Sequence, residues 1–146
     1  MPGVNDPYNL KRFIEAQKGV YDSALRELRN GRKQSHWIWF VFPQLAELGR
    51  SPTAKFYGLA SLDEARAYLD HSLLGPRLRE AVDTLLPWTE KRSAEQILGP
   101  VDAMKLRSSL TLFDQVEPNG IFEQALLRFF GGKSDQLTLA LLDRRR

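Results

Sequence analysis

Four side chains that can take part in chemistry stand where the surrounding chain is largely apolar. In the longest predicted helix, a rotation of about 100° per residue places Asp102 and Ser109 on one face, with Lys105 at its edge. His36 stands inside an aromatic segment, and a histidine can change its charge near neutral pH. Because buried polar atoms need partners, we predict that these four residues lie close together.

The sequence leaves two interpretations of this cluster open. In the structural interpretation, Asp102 forms a surface ion pair with Lys105, while Ser109 bonds back to its own helix. His36 would then bond a backbone carbonyl in the core. In the functional interpretation these residues line a polar pocket, in which His36 and Asp102 are the catalytic candidates. The predicted ligand-binding residues of that pocket are Lys33, His36, Trp37, Gln44, His71, Lys105 and Ser109.

The predicted ligand is small and either anionic or nucleotide-like. Trp37 or Trp39 could stack a base or another ring at the mouth of the pocket, although both are also typical core residues. Lys33 and Lys105 could then meet a phosphate, which needs positive charge and hydrogen-bond donors. We therefore predict a binding or catalytic pocket between the aromatic segment 35–44 and the helix 101–116. The alternative is a protein–protein interaction module that uses an aromatic surface and has no catalytic activity.

Metal and cofactor chemistry have no motif in this sequence. His71 stands at the predicted end of a helix, where the helix dipole stabilises a protonated ring, so capping is an alternative to a role in the pocket. His36 and His71 lack the H-x-x-x-H or H-E-x-x-H spacing of zinc sites, and we predict no metal site. The sequence also has no cysteine, P-loop, G-x-G-x-x-G or G-x-S-x-G motif, so the cofactor and the reaction type stay unassigned.

The composition is that of a soluble single domain with a neutral body. Of the 146 residues, 42% are hydrophobic and 27% are charged. Arg144, Arg145 and Arg146 account for three of the 21 basic residues, and the remaining 18 balance 18 acidic ones. A neutral body argues against a nucleic-acid function. Because we find no secretory signal and no apolar run of about 20 residues, we expect a cytoplasmic protein without a membrane span. The sequence predicts no oligomeric state.

The stretch 33–44, which contains the aromatic segment 35–44, is the element around which the rest of the chain must pack. It holds two of the three tryptophans, and each large aromatic side chain buries about 150–250 Å². Ser35 is predicted to cap a short helix that ends at Phe40 or Val41. Pro43 then turns the chain.

Start and stop signals predict helices along the rest of the chain. Ser51-Pro52 is a cap followed by proline, and capping boxes begin at Ser61 and at Ser93. Asn9 is the predicted cap of the first helix. The predicted helices are 10–30, 35–41, 52–57, 62–71, 75–86, 94–98, 100–116, 121–130 and 135–142. The sequence thus predicts an all-α fold. It forms a single compact domain, 1–146, of about eight or nine helices, several of them short, with an N-terminal arm 1–8 and a basic tail 143–146.

Motifs spread over nearly the whole chain resemble those of a known bacterial family. They are Gly31-Arg32-Lys33, Ser35-His36-Trp37, Trp39-Phe40, Phe42-Pro43-Gln44-Leu45, Ala65, Tyr68-Leu69, His71, Leu74-Gly75-Pro76-Arg77-Leu78, Ile97, Gly99, Asp102, Lys105-Leu106, Ser108-Ser109 and Thr111-Leu112-Phe113. These motifs are similar to those of domain of unknown function 1810, whose members are often labelled calpastatin. The resemblance implies a compact, single-domain, all-helical fold and no established activity. It also places seven polar residues within family motifs, namely Lys33, His36, Gln44, His71, Asp102, Lys105 and Ser109.

Overall fold

Helices provide the regular structure of this chain. A computed structural model describes residues 6–144, and within that range it contains ten α-helices, no strand, and one isolated bridge between Leu45 and Leu59. The helices are α1 (Lys11–Gln17), α2 (Tyr21–Arg29), α3 (Ile38–Val41), α4 (Pro52–Phe56), α5 (Leu62–Asp70), α6 (Leu74–Leu85), α7 (Ala94–Leu98), α8 (Pro100–Val116), α9 (Ile121–Phe130) and α10 (Gln136–Arg144). Two short 3₁₀ helices span Ala46–Leu48 and Leu86–Glu90. The predicted all-α fold in a single compact domain is confirmed, with ten α-helices where eight or nine were expected. In the described part of the chain, no helix has both the length and the apolar character needed to cross a membrane.

The first predicted helix, residues 10–30, is divided into α1 and α2. The division occurs at Gly19, whose φ of 76° is a left-handed conformation that glycine adopts readily. The predicted cap at Asn9 is also wrong, because Asn9 has a φ of 54° and makes no side-chain cap to α1. The carboxylate of Asp6 instead accepts hydrogen bonds from the backbone N–H groups of Leu10 and Lys11, at 2.7 and 3.1 Å.

The predicted arm and tail fall partly outside the described residues. Residues 1–5 of the arm, and Arg145 and Arg146 of the tail, lie beyond them. Within them, α10 continues through Arg144, so this helix includes the first two residues of the predicted tail. An arginine in the last turn of a helix is favoured there, because its positive charge complements the negative end of the helix dipole.

Three of the middle helices begin at the positions that capping residues in the sequence predict. Ser51 Oγ accepts an N–H from the first turn of α4, and Ser61 Oγ accepts the N–H of Glu64 in α5. Ser93 and Gln96 form a reciprocal capping box at α7. Such a cap bonds backbone N–H groups that have no partner within the helix. The capping residues in the sequence are therefore enough to locate the start of each of these helices.

The central helix is α8, against which α3, α5, α7, α9 and α10 all pack. Its buried face includes Leu106, Leu110 and Phe113. The ring of Phe113 lies 5.6 Å from that of Tyr68 in α5 and 5.6 Å from that of Phe122 in α9, measured between centroids. This packing fixes the C-terminal half of α8 against α5 and α9.

The aromatic segment lies in the core, and its predicted short helix is α3. Trp37, Ile38 and Phe42 are fully buried. The carbonyl of Phe40 accepts hydrogen bonds from Gln17 Nε2 at 2.7 Å and from the Tyr68 hydroxyl at 3.3 Å. These bonds satisfy a backbone acceptor that water cannot reach, so α3 is held by α1 and α5 together.

A buried ion pair joins α1 to α5. Arg12 Nη2 lies 2.7 Å from Glu64 Oε2, and the other oxygen of Glu64 accepts the backbone N–H of Ala60 at 2.9 Å. The remaining donors of Arg12 bond backbone carbonyls on both sides of the pair. These acceptors are Tyr8, Asn9, Phe56 and Gly58. The pair thus ties the N-terminal segment to the turn that leads into α5.

Candidate functional site

A glutamate of α2 organises the start of the aromatic segment. The carboxylate of Glu27 accepts four hydrogen bonds, from Gln34 N, Ser35 N, Ser35 Oγ and Trp37 Nε1, at 2.5–3.0 Å. The predicted capping role of Ser35 at the short helix is therefore wrong, because its hydroxyl is used on Glu27 and α3 has no side-chain cap. Burial alone would raise the pKa of Glu27, but these bonds outweigh it and lower that pKa to about 2.

Because of Glu27, the stability of the fold decreases at acid pH. The pKa of Glu27 is about 2 in the folded chain against an ordinary value of 4.5, so its stabilisation is complete above pH 4.5 and is lost as the pH falls toward 2. We expect Glu27→Gln to reduce the free energy of unfolding at pH 7 by about 1–3 kcal/mol, because an amide accepts fewer of the four bonds. Urea melts at several pH values measure this effect.

The control for Glu27→Gln is Glu95→Gln, which changes an exposed carboxylate of α7. We expect the control to leave stability within about 0.5 kcal/mol at every pH. The difference between the two variants should shrink as the pH falls below 4.5, because Glu27 of the unfolded wild-type chain then binds a proton that folded Glu27, with its pKa of about 2, does not bind. A Glu27→Gln loss that stays constant between pH 7 and pH 3 would show that the charge of Glu27 is not what stabilises the segment.

Lys33 connects the aromatic segment to the start of α8. Its side chain is only 7% exposed, and Nζ lies 2.8 Å from Asp102 Oδ2. The same ammonium donates to the Ser35 carbonyl at 2.5 Å and lies 5.0 Å from the centroid of the Trp37 ring. A nearly buried lysine needs such partners to remain charged. The ammonium of Lys33 is therefore already partnered, chiefly by Asp102.

Asp102 is shared by two lysines. Lys105 Nζ lies 3.8 Å from Asp102 Oδ1, a longer contact than the one Lys33 makes with the other oxygen. Lys105 also lies over the ring of Trp39, with Nζ 5.1 Å from the ring centroid. Two ammonium groups thus surround one carboxylate, and the more loosely held of the two, Lys105, carries positive charge that Asp102 does not fully neutralise.

His36 and Asp102 line the same cavity. The imidazole of His36 is exposed, and this cavity of about 360 Å³ lies between the aromatic segment and the N-terminus of α8. Its lining residues are Lys33, Gln34, Ser35, His36, Leu98, Gly99, Pro100, Val101 and Asp102. Of the four residues predicted to lie close together, His36 shares this cavity with Asp102, and Lys105 pairs with Asp102, although no hydrogen bond joins His36 to Asp102 within residues 6–144.

Ser109 does not join this cluster. It lies on the same helix but is 1% exposed, and its hydroxyl has no hydrogen-bond partner in the described part of the chain. Trp37 is fully buried, so its ring offers no face to a ligand in this conformation. Trp39 is partly exposed, but Lys105 lies over its ring. The predicted site therefore combines residues that lie in the core, Ser109 and Trp37, with residues that lie at the surface.

His71 lies apart from the others, at the junction of α5 and α6. Its Nδ1 accepts hydrogen bonds from the backbone N–H groups of Leu73 and Leu74, at 3.1 and 3.3 Å. This is a cap of the N-terminus of α6 and needs a lone pair on Nδ1, whereas the predicted cap was a protonated ring at the end of α5. His71 also lines a separate cavity of about 390 Å³ beside Tyr8 and Lys11.

A groove of about 460 Å³ adjoins the cavity of His36 at Val101, which lines both. Two predicted site residues, Gln44 and Lys105, line this groove. The full lining is Gln44, Leu48, Gly49, Arg50, Ser51, Ala54, Val101, Met104, Lys105, Ser108, Asp135 and Leu137. We call it the α8 groove.

The apolar walls of the α8 groove were not foreseen from the sequence. Val101, Met104 and Leu137 are between 56% and 71% exposed and together form an exposed apolar patch. A signal was present, since Val101 and Met104 lie off the buried face of a helix whose boundaries the sequence predicts. Leu137 could not be assigned to the groove, because the placement of α10 depends on tertiary contacts.

Asp135 attaches α10 to α8 and so completes the groove. Its Oδ2 accepts hydrogen bonds from Ser108 Oγ, Thr138 N and Thr138 Oγ1, and its own N–H donates to Thr111 Oγ1. The last helix is predicted to begin at 135, and Asp135 caps it from the position just before Gln136. Because its carboxylate is used in capping, the groove has a fixed wall at this end.

The chain matches one family model and one solved structure. The model of a family described as a protein of unknown function, DUF1810, matches residues 7–142. The crystal structure of the conserved hypothetical protein Rv1873 from Mycobacterium tuberculosis is similar, at 52% sequence identity and a TM-score of 0.91. The similarity covers 94% of this chain and 99% of that one. No curated protein matches the chain. Neither matching description names an activity, so function has to be argued from the site.

Proposed function

The chain belongs to the DUF1810 family, whose description names no activity, and we propose that it binds a small anionic molecule in the α8 groove. One observation supports this proposal: exposed apolar side chains and the cation Lys105 line the same groove. The nearest anion to Lys105, Asp102, is already paired with Lys33. A ligand site in a protein is typically a concave, mainly apolar surface with a few polar groups that fix the orientation of the ligand.

Exposed apolar side chains are concentrated in the α8 groove. Six large apolar side chains are exposed within residues 6–144, and three of them line this one groove. They are Val101, Met104 and Leu137. Single exposed apolar residues are ordinary on a protein surface, but their convergence on one concavity favours a binding role.

The charges around the groove favour a negative ligand. Arg50 and Lys105 line it as cations, and Asp135 is the acidic residue among the lining side chains. The carboxylate of Asp135 is occupied by the cap of α10, so it has less capacity to neutralise Lys105. His36 and Asp102 remain the catalytic candidates of this proposal, because Val101 borders both the groove and their cavity.

A second candidate function is the docking of a partner protein. The observation in its favour is the openness of the apolar wall, since Met104 alone is 71% exposed. The predicted aromatic docking surface does not support it, because Trp37 is fully buried. The partner would have to present an apolar helix face with an acidic residue opposite Lys105.

The proposal is tested with anilinonaphthalene sulfonate (ANS), a fluorescent probe that has an apolar body and one negative charge. We expect ANS to bind the wild-type chain and Leu137→Asp to weaken that binding by about tenfold or more. The variant removes apolar contact worth about 1.5 kcal/mol and adds a repelling charge. The measurement is a fluorescence titration at pH 7, accompanied by a thermal melt of each variant.

Leu127→Asp is the matched control. Leu127 is 61% exposed, close to the 56% of Leu137, but it lies on α9 and does not line the groove. We expect the control to bind ANS as the wild type does. Equal effects of the two substitutions on ANS affinity, or no effect of Leu137→Asp, would remove the groove as the binding site. Melting temperatures close to the wild type exclude ANS binding to a loosened core.

A further inference from the structure

Resting on the proposed function, we infer that the occupant of the α8 groove is a monocarboxylate with a flexible aliphatic body, and not a phosphate ester or a nucleotide. Four features of the groove support this narrower class of ligand, namely its charge balance, its backbone donors, its lack of aromatic walls and its size.

The charge balance of the groove suits one negative charge. Arg50 and Lys105 supply two positive charges and Asp135 one negative charge, which leaves one positive charge in excess. Lys105 also lies 3.8 Å from the carboxylate of Asp102, just beyond the groove. The second charge of a phosphate dianion at Lys105 would therefore meet repulsion from Asp102, whereas a carboxylate brings one charge only.

Two backbone N–H groups that line the groove, those of Gly49 and Ala54, are already bonded within the protein. Phosphate sites present several free backbone N–H groups, commonly from a glycine-rich loop. The N–H of Gly49 donates to the carbonyl of Ala46 at 3.0 Å, and the N–H of Ala54 donates to Ser51 Oγ at 3.1 Å. These lining residues therefore have no free N–H for a phosphate. The side chain of Lys105 provides a charge without donors from these two groups.

The apolar walls are aliphatic. Leu48, Val101, Met104 and Leu137 form them, and no aromatic ring is among the described lining residues. A nucleobase binds proteins mainly by stacking on an aromatic or guanidinium plane, and Trp37 cannot supply one because it is fully buried. Among the described lining residues only the guanidinium of Arg50 offers such a plane, so a base would lack a second stacking partner. Flexible walls of leucine and methionine suit an alkyl chain, which needs contact area but no ring geometry.

The size of the groove sets the length of the ligand. A volume of about 460 Å³ corresponds to about fifteen water-sized units of about 30 Å³ each. An alkyl carboxylate of about ten carbons occupies most of that space with its carboxylate at Lys105. A ligand with a much longer chain would extend past Val101 into the cavity of His36.

The test is displacement of bound ANS by decanoate, decanol, decyl phosphate and adenosine monophosphate at about pH 8, where a phosphate ester is a dianion. We expect decanoate to compete about tenfold better than decanol, decyl phosphate to compete less well than decanoate, and the nucleotide not to compete. We expect Lys105→Met to abolish the preference for decanoate over decanol, and Lys105→Arg to keep it.

Lys55→Met is the matched control, since Lys55 is an exposed lysine of α4 that does not line the groove. It should keep the wild-type preference for decanoate. Decyl phosphate or the nucleotide competing better than decanoate would overturn the inference but leave anion binding in the groove intact. Equal competition by decanoate and decanol would also overturn it. If none of the anions displaces ANS although Leu137→Asp weakens ANS binding, the inference is overturned and anion binding in the groove stands. If Leu137→Asp has no effect on ANS binding, the proposed function itself fails.

Discussion

Trp37→Ala is expected to lower the free energy of unfolding by about 3–5 kcal/mol, the usual loss when a large buried aromatic side chain is removed. The indole of Trp37 has no exposed surface and lies beside the ring of Phe42, with 6.2 Å between the ring centroids. Its Nε1 also donates to Glu27 at 2.9 Å. Alanine therefore leaves both a cavity and a carboxylate with one bond fewer. Urea denaturation followed by far-ultraviolet circular dichroism measures the loss without using tryptophan fluorescence.

Trp39→Ala is the matched control in the same segment. From the sequence, a loss of about 3–5 kcal/mol is expected for Trp39 if its ring is buried. The ring is only partly buried and its face is covered by Lys105, so we expect a smaller loss of about 1–2 kcal/mol. Equal losses for Trp37→Ala and Trp39→Ala would show that the segment is packed differently from this description.

The sequence predicts those features of the fold that depend on local interactions. Ser51 and Ser93 cap the helices that follow them because each satisfies N–H groups within three residues of itself. The helix after Gly99 runs from Pro100 to Val116 as predicted, since proline starts it and an apolar stripe continues along it. Such signals need no knowledge of the rest of the chain.

Other features of the fold depend on neighbours that the sequence does not identify. Helical periodicity continues through Gly19, but the chain turns there so that α1 and α2 can each pack separately. Glu27 occupies an ordinary solvent-side position of α2 in the pattern. Its role becomes visible only when the donors of Gln34, Ser35 and Trp37 are folded back onto it.

The sequence predicts only the contact between Asp102 and Lys105 within the polar cluster, because polar residues on an apolar helix face need partners. The predicted partner of Asp102 was Lys105, one turn away, yet Lys33 makes the shorter contact, at 2.8 Å against 3.8 Å. A spacing rule detects neighbours on one helix but cannot weigh them against a residue about seventy positions earlier. The helical pattern also places Met104 off the buried face of α8, but it does not identify the groove, whose other wall includes Leu137 of α10.

Arg12→Ala is expected to lower the free energy of unfolding by about 3–5 kcal/mol, as when one partner of a buried ion pair is removed. The side chains of Arg12 and Glu64 are 9% and 5% exposed, so alanine would leave the Glu64 carboxylate charged and without its cation. The substitution also removes the donors that hold four backbone carbonyls. Urea denaturation of the full chain at pH 7 measures the change.

Arg66→Ala is the control for Arg12→Ala, because Arg66 pairs with Asp63 at 3.3 Å where the side chains are 50% and 78% exposed. Solvent screens such a pair, so we expect a loss below about 1 kcal/mol. Adding Glu64→Gln to Arg12→Ala should recover part of the loss, since the amide removes the unpaired charge and still accepts the N–H of Ala60. Failure of this second change to recover any stability would show that the carbonyl bonds, and not the ion pair, account for the effect of Arg12.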